Sequence, residues 1–230
     1  MTPRLSVIIP TLNEEGRIEG QLDRLAAMSG VHEVIVVDGG SDDRTPELVR
    51  ACRTARLVTM SGGRGPQMNA GASAATGEVL LFLHADVALP PDGVSLVLAA
   101  FADPRVVGGA FRIKTVADGR DGWPSRWLWL ADLRSKYSRL PYGDQALFVR
   151  RDVFDALRGF APVPLFEDLE FSRRLRRAGR VVRLPASVRV SGRRFMARPL
   201  YYTCVMNVMP ALYRLGVPPR TLARIYGHVR

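Results

Sequence analysis

Two apolar runs, each ending in acidic residues, constrain the fold of this chain most. Val34-Ile35-Val36-Val37 runs into Asp38-Gly39-Gly40-Ser41-Asp42-Asp43, and Val79-Leu80-Leu81-Phe82-Leu83 runs into His84-Ala85-Asp86. Runs this uniformly apolar suit parallel strands covered by helices on both faces. In open α/β sheets, ligands bind in the crevice beyond the carboxyl ends of such strands. Asp38 and Asp86 would both be delivered there. A carboxylate in that place can accept from a base or ribose, or hold a divalent cation against phosphates. Alone, either one could simply start a turn, for which Asp is locally suited. The pair points to a polar, metal-assisted nucleotide site.

The first hundred residues alternate strand and helix. Leu5-Ser6-Val7-Ile8-Ile9 reads as a strand ended by Pro10, and Thr11-Leu12-Asn13-Glu14 has the spacing of a capping box. Ile18, Leu22, Leu25 and Ala26 then share one helical face. Thr45-Pro46-Glu47 starts a second helix, and Arg56-Leu57-Val58-Thr59 is a short third strand. A glycine-rich loop over 61–66 precedes a helix of small residues over 67–75, and Pro90-Pro91-Asp92 introduces another helix. Such alternation calls for a parallel sheet with right-handed crossovers. After about residue 105 the pattern changes. Strands are expected over 106–113, 145–149, 181–184 and 187–190, and a helix over 168–178 closed by Gly179. With no repeat or linker, the chain reads as a single domain: a nucleotide-binding half (1–105), an acceptor and catalytic half (106–195) and a helical basic tail (196–230).

Composition narrows the partners. The 230 residues are 47% hydrophobic and 24% charged, a globular rather than disordered balance. The formal net charge is +11, and all but two of the 33 cationic side chains are arginine. That charge suits an anionic partner: a nucleotide diphosphate, an acidic membrane surface or nucleic acid. Cys52 and Cys204 lack metal-ligand spacing and read as reduced thiols. The chain goes from Met1 straight into a strand, and its most apolar stretch, 200–215, is interrupted by Asn207, Pro210 and Arg214. The expectation is therefore a cytoplasmic protein, peripheral at the inner membrane face if the tail touches lipid.

Four segments in order resemble the family 2 glycosyltransferases of the GT-A fold, across most of residues 4–195. Ser6-Val7-Ile8-Ile9-Pro10-Thr11-Leu12-Asn13-Glu14-Glu15 is similar to the family's opening strand and nucleotide loop. The segment from Val36 to Thr45 is similar to its second nucleotide element. Leu81-Phe82-Leu83-His84-Ala85-Asp86 stands where the family carries an Asp-x-Asp metal motif, and Phe166-Glu167-Asp168-Leu169-Glu170 resembles the Glu-Asp motif that supplies the base. The resemblance implies an α/β fold of the GT-A, Rossmann-like type, with a mostly parallel sheet sandwiched by helices. It also implies a nucleotide-sugar donor, a divalent cation (Mn²⁺ or Mg²⁺), and transfer with inversion. The acceptor is left open as a sugar, a lipid-linked group or a small molecule.

Roles follow for individual residues. Pro10 and Thr11 lie at a strand end where backbone groups meet base and ribose, with Asn13 and Glu14 in the same loop; Glu14 could instead cap its helix. Asp38, in one turn with Gly40 and Ser41, is placed against the base. Arg64 and Gln67 flank the glycine-rich loop, and Arg64 offers phosphate a fork of donors. Asp86 is the metal ligand. His84 departs from the family pattern, because it occupies the first acidic position of Asp-x-Asp. A neutral imidazole can hydrogen-bond ribose or ligate Mn²⁺ but is a poor partner for Mg²⁺. Asp168, at a helix N-terminus that favours carboxylate, is the catalytic base, with Glu167 its nearest rival. Asp144 suits the donor sugar or acceptor, and Arg193 and Arg194 the diphosphate. Trp123, Trp127 and Trp129 either stack on sugar faces or pack. The tail offers lipid an apolar face with arginines at head groups, or else is core or a dimer contact.

Rival readings have specific weaknesses. A nucleotidyltransferase would carry its glycine-rich loop directly after the first strand, where this chain has Pro10-Thr11-Leu12-Asn13. A nicotinamide dehydrogenase would show G-x-G-x-x-G there. A nucleic-acid-binding protein would gather its arginines into a patch with exposed aromatics, whereas here they are spread along the chain.

Overall fold

The computed structural model describes residues 3–117, 128, 132 and 140–226. The side chains at 194, 195, 199, 200, 203, 206, 207, 225 and 226 lie outside that description, as do Trp123, Trp127 and Trp129. The first half comprises β1 (Leu5–Thr11), α1 (Glu15–Ala26), β2 (Val31–Asp38), α2 (Thr45–Ala51), β3 (Ala55–Thr59), α3 (Arg64–Ala74) and β4 (Val79–Phe82). Next come β5 (Val87–Ala88), α4 (Gly93–Ala100), β6 (Val106–Val116), a 3₁₀ turn (Gly143–Gln145) and β7 (Leu147–Arg150). The remainder is α5 (Arg151–Ala156), α6 (Glu167–Ala178), β8 (Arg180–Ser191), α7 (Arg193–Ala197), α8 (Pro199–Arg214) and α9 (Pro219–Tyr226). Among the described residues the sheet has eight strands in the order β3-β2-β1-β4-β7-β6-β8-β5.

The half carrying β1 to β4 is parallel throughout, as the apolar runs require. Val7, Ile9 and Val36 pack on one face among Leu22, Leu25 and Val49, while Ile8, Ile35 and Val37 pack on the other against Met68 and Ala72. Both faces are therefore dry, and each fully buried aliphatic side chain contributes about 1.5–3 kcal/mol. Gly71 sets how close α3 comes to the sheet, since a Cβ there would stand 2.4 Å from Ile8 Cγ2. In the second half β7 runs antiparallel to β4 and β6, and β5 antiparallel to β8.

Pro10 does not end β1, which continues to Thr11. The pairing with β4 stops at Ile8↔Phe82, so the N–H that Pro10 lacks has no strand to meet on that side. Likewise β8 is one strand rather than two. Its register with β6 shifts between Ala110↔Arg183 and Arg112↔Ser187, and this bulge absorbs Pro185.

The expected capping box does not form, and Glu14 caps α1 without a side-chain bond. The loop after β1 is instead stapled to the loop after β2. Asn13 N–H donates to Ser41 Oγ, Asp42 N–H to Asn13 Oδ1, and Glu14 N–H to Thr45 Oγ1, each at 2.9 Å; Glu15 N–H donates to Asp43 Oδ2 at 3.1 Å.

Four phenylalanines then tie the second half to the first. Phe82 on β4 meets Phe160 edge-on at 4.9 Å, and Phe160 meets Phe171 of α6 at 4.7 Å, with Phe154 of α5 packed against all three. Such pairs add about 0.5–1.5 kcal/mol each beyond burial. They fix the helix that begins at Glu167 relative to the strand that leads to Asp86.

Candidate active site

The strand ends open on a cavity of about 260 Å³. Pro10, Thr11, Asn13 and Glu14 reach it from β1 and its loop, Arg64 and Gln67 from the first turn of α3, and His84 and Asp86 from the segment after β4. Asp144 enters from the 3₁₀ turn and Asp168 from the start of α6. Five carboxyl groups (Glu14, Asp86, Asp144, Glu167 and Asp168) face two guanidinium groups (Arg64 and Arg193), making the cavity acidic in a basic chain.

Asp168 is held firmly. Gly143 N–H donates to its Oδ2 at 2.6 Å and Leu169 N–H to its Oδ1 at 2.7 Å. A Cβ on Gly143 would fit only tightly here, 3.2 Å from His84 Nε2 and 3.3 Å from Asp168 Oδ2. The imidazole and the carboxylate thus converge on one bare stretch of backbone. Burial and the Arg64 charge push the His84 pKa below the ordinary imidazole value, against the pull of Asp86, Asp144 and Asp168. Glu167 is more deeply buried, and desolvation followed by the neighbouring Asp168 charge holds its carboxyl above the usual range. Asp168 is the more accessible of the two.

Other residues serve the scaffold. The buried Gln67 amide donates to Thr11 O at 2.8 Å and Val37 O at 2.9 Å, clasping the ends of β1 and β2. Asp38, Gly40 and Ser41 do not line the cavity. The Asp38 carboxylate is buried and accepts from Gly40 N–H and Ser41 N–H at 3.0 Å and from the Ser41 hydroxyl, so it builds the turn to which Asn13 is stapled. Asp38→Ala is expected to lower the unfolding free energy by about 1–2 kcal/mol in chemical denaturation. Calorimetry should also show weaker nucleotide binding with or without a divalent cation. Affinity equal to the parent's would confine Asp38 to the turn.

The sequence did not reveal an ion pair between two residues that line the cavity, Arg193 Nη2 to Glu14 Oε1 at 3.0 Å. Glu14 also meets Arg17 at 3.4 Å. Arg194 follows Arg193 in α7, but its side chain lies outside the described residues. Also unforeseen is an apolar wall formed by Leu165, Phe166, Val205, Met209 and Pro210. Phe166, just before α6, has φ 67°, costly for an aromatic residue. Its ring stacks on Tyr213 of α8 at 5.0 Å, and the Arg173 guanidinium lies 4.8 Å from the Tyr213 ring centre.

Among the described residues no three His, Cys, Asp or Glu groups come together to hold a metal by themselves. The donor set nevertheless suits a hard cation. Asp86 and Asp144 act on one imidazole, and Mg²⁺-type sites use one or two carboxylates completed by substrate phosphates.

The family model described as glycosyl transferase family 2 matches residues 6–163. An undecaprenyl-phosphate 4-deoxy-4-formamido-L-arabinose transferase of Pseudomonas aeruginosa is 28% identical over 165 residues, 66% of this chain and 49% of that one. Its counterpart from Aeromonas hydrophila is 34% identical over 116 residues, 45% of this chain and 36% of its own. The chain therefore spans about half the length, or less, of these curated relatives. The mannosyltransferase PcManGT from Pyrobaculum calidifontis, solved with GDP-Man and Mn²⁺, superposes with a TM-score of 0.71 at 21% identity, covering 100% of this chain and 70% of that one. S. aureus TarS with UDP-GlcNAc gives 0.64 at 24% identity, covering 82% and 58%. At such identities the structural likeness establishes the fold, which is the GT-A arrangement. With the family model covering more than half of its residues, the chain belongs to glycosyl transferase family 2.

Proposed function

We propose that this chain transfers a sugar from a nucleotide-sugar donor to an acceptor oxygen with inversion at the anomeric carbon. The observation that carries this reading is the Asp168 carboxylate, fixed by two backbone N–H groups and facing the same cavity as the strand-end residues. The nucleotide would lie against Pro10, Thr11 and the loop bearing Asn13 and Glu14, whose partner turn contains Asp38, Gly40 and Ser41. Arg64 would meet the diphosphate, joined by Arg193 once it leaves Glu14. Asp86, with Asp144 or His84 beside it, would hold a divalent cation, Mn²⁺ or Mg²⁺, which when bound offsets diphosphate charge. Asp168 takes the acceptor proton as its oxygen attacks, and one carboxylate base acting in a direct displacement inverts the configuration. PcManGT and TarS, seen with GDP-Man and Mn²⁺ and with UDP-GlcNAc, support the donor class and the cation. The names of the curated relatives support an acceptor of lipid character.

A thermal-shift screen of nucleoside diphosphates and nucleotide sugars tests this reading. A ligand that binds only the folded state raises stability by about 2.7 kcal/mol at a hundredfold excess over Kd. The expected result is an upward shift with one nucleotide class, larger with Mn²⁺; no shift with any of them sinks the proposal.

Among the described residues no helix is long and apolar enough to cross a membrane. Peripheral contact is the reading we favour for the tail. Tyr201 and Val208, seven residues apart on α8, and Leu215, just past its end, are exposed, Leu215 to 82%. No acidic residue follows Glu170, while arginines recur to the end of the chain. Each cation near an anionic surface contributes about 1 kcal/mol. Co-sedimentation with phosphatidylglycerol vesicles, but not with phosphatidylcholine vesicles, is expected, and Leu215→Asp should reduce it. Equal recovery with both lipids would count against the contact.

A further inference from the structure

Resting on the glycosyl-transfer reading, we infer that Tyr213 of α8 is a positioning residue for the base: acting through Phe166, it fixes the backbone from which Asp168 projects. The tail is then a working part of the site as well as a candidate membrane contact.

Phe166 immediately precedes α6 and stands in the left-handed region, at φ 67° and ψ 25°. A bulky aromatic residue keeps that conformation only where its surroundings impose it. Its carbonyl oxygen accepts from Glu170 N–H at 2.9 Å, which closes the turn containing Asp168. The Phe166 backbone therefore sets the direction of that turn. Tyr213 opposes its relaxation through two contacts. The Phe166 ring stacks on Tyr213, with centroids 5.0 Å apart and planes within 25°. Arg173, further along α6, lays its guanidinium 4.8 Å from the centre of the same Tyr213 ring. One tyrosine thus grips α6 at its entry and again along its length. A second anchor is the segment around the 3₁₀ turn: Ser172 Oγ donates to Pro141 O at 2.8 Å, and Gly143 N–H to Asp168 Oδ2 at 2.6 Å. With Tyr213 gone, Phe166 would relax toward an ordinary backbone conformation and turn Asp168 away from Gly143. A ring stack is worth up to about tenfold in such an equilibrium.

The Gly143 amide reports on Asp168 without any ligand, because its hydrogen bond ends on that carboxylate. Tyr213→Leu keeps apolar bulk at a half-buried position but removes the stack and the ring under Arg173. Exchange of the Gly143 and Leu169 amide hydrogens should become about tenfold faster in this variant. Tyr213→Phe should restore parent exchange, since the ring rather than the hydroxyl makes both contacts. Leu222→Ala opens the same apolar cluster at a fully buried side chain, so it should lower Tm yet leave Gly143 exchange at the parent rate. Hydrolysis by water of the nucleotide sugar picked out by thermal shift should show kcat about tenfold lower in Tyr213→Leu, with KM unchanged. Parent exchange at Gly143 in Tyr213→Leu overturns the inference. So does equally fast exchange in Leu222→Ala, which would mean general loosening, or a donor KM that rises as kcat falls. If Tyr213→Leu does not fold, Arg173→Gln loosens the same ring and should speed Gly143 exchange; parent exchange there overturns the inference. If no nucleotide sugar binds, the glycosyl-transfer reading falls, while the Gly143 amide still decides whether Tyr213 holds Asp168 in place.

Discussion

Asp168→Asn should leave donor binding near its parent value while transfer falls about 10²–10⁴-fold, the usual contribution of a positioned base. The amide nearly matches the carboxylate in size but cannot take the acceptor's proton at neutral pH. It also keeps only one accepting oxygen where Asp168 uses two, for Gly143 N–H and Leu169 N–H. A loss of about 1 kcal/mol in stability should accompany the kinetic effect. Calorimetry with the nucleoside diphosphate separates the two effects, because in the proposed reaction Asp168 meets the acceptor rather than the donor. NMR of the product should show inverted anomeric configuration. Transfer at the parent rate, or retained configuration, would remove Asp168 from the chemistry and leave Glu167 as the carboxylate to test.

Asp86→Ala should abolish the divalent-cation dependence of nucleotide binding. Groups that hydrogen-bond to a metal ligand are worth about 10–100-fold in metal affinity, so if Asp86 is itself a ligand, as proposed, its loss should cost at least a hundredfold. The fold should survive, because the tie from this segment to β8 runs through the backbone, with Ser191 N–H donating to Asp86 O at 3.1 Å. Titrating Mn²⁺ into enzyme and nucleoside diphosphate would check this, with circular dichroism to confirm folding. An unchanged response to Mn²⁺ would place the cation elsewhere.

The parts of the fold that were legible in the sequence are those where one physical cause dominates. β1, β2 and β4 are buried on both faces, so every position had to be apolar, and the runs announced themselves. Their polar ends then located the cavity, and Arg64, His84, Asp86, Asp144 and Asp168 do converge on it. Long-range compensation was not legible. The spacing of Thr11 and Glu14 suggests a local cap, yet the caps come from Asp43 and Thr45 across the chain. Pro185 looks like a break until a bulge opposite Arg112 accommodates it. Asp38 marks its strand end correctly, but its carboxylate is spent on its own turn. The apolar wall had no local signature, because Val205 and Met209 become part of it only through the packing of α8 on Leu165 and Phe166.

The staples between the loops after β1 and β2 bear on how the nucleotide is received. Two free loops would each lose backbone entropy on closing around a ligand, about 1–2 kcal/mol per residue fixed. Here Asn13, Glu14 and Glu15 are already bonded to Ser41, Asp43 and Thr45. The ordering is completed when the chain folds, and little of it is left to be charged against binding. The pair should behave as one rigid lip. Amide hydrogens at Asn13, Glu14 and Glu15 should exchange slowly before any nucleotide is added and change little afterwards, whereas slow exchange that appears only with nucleotide would mean that the lip is assembled by its ligand.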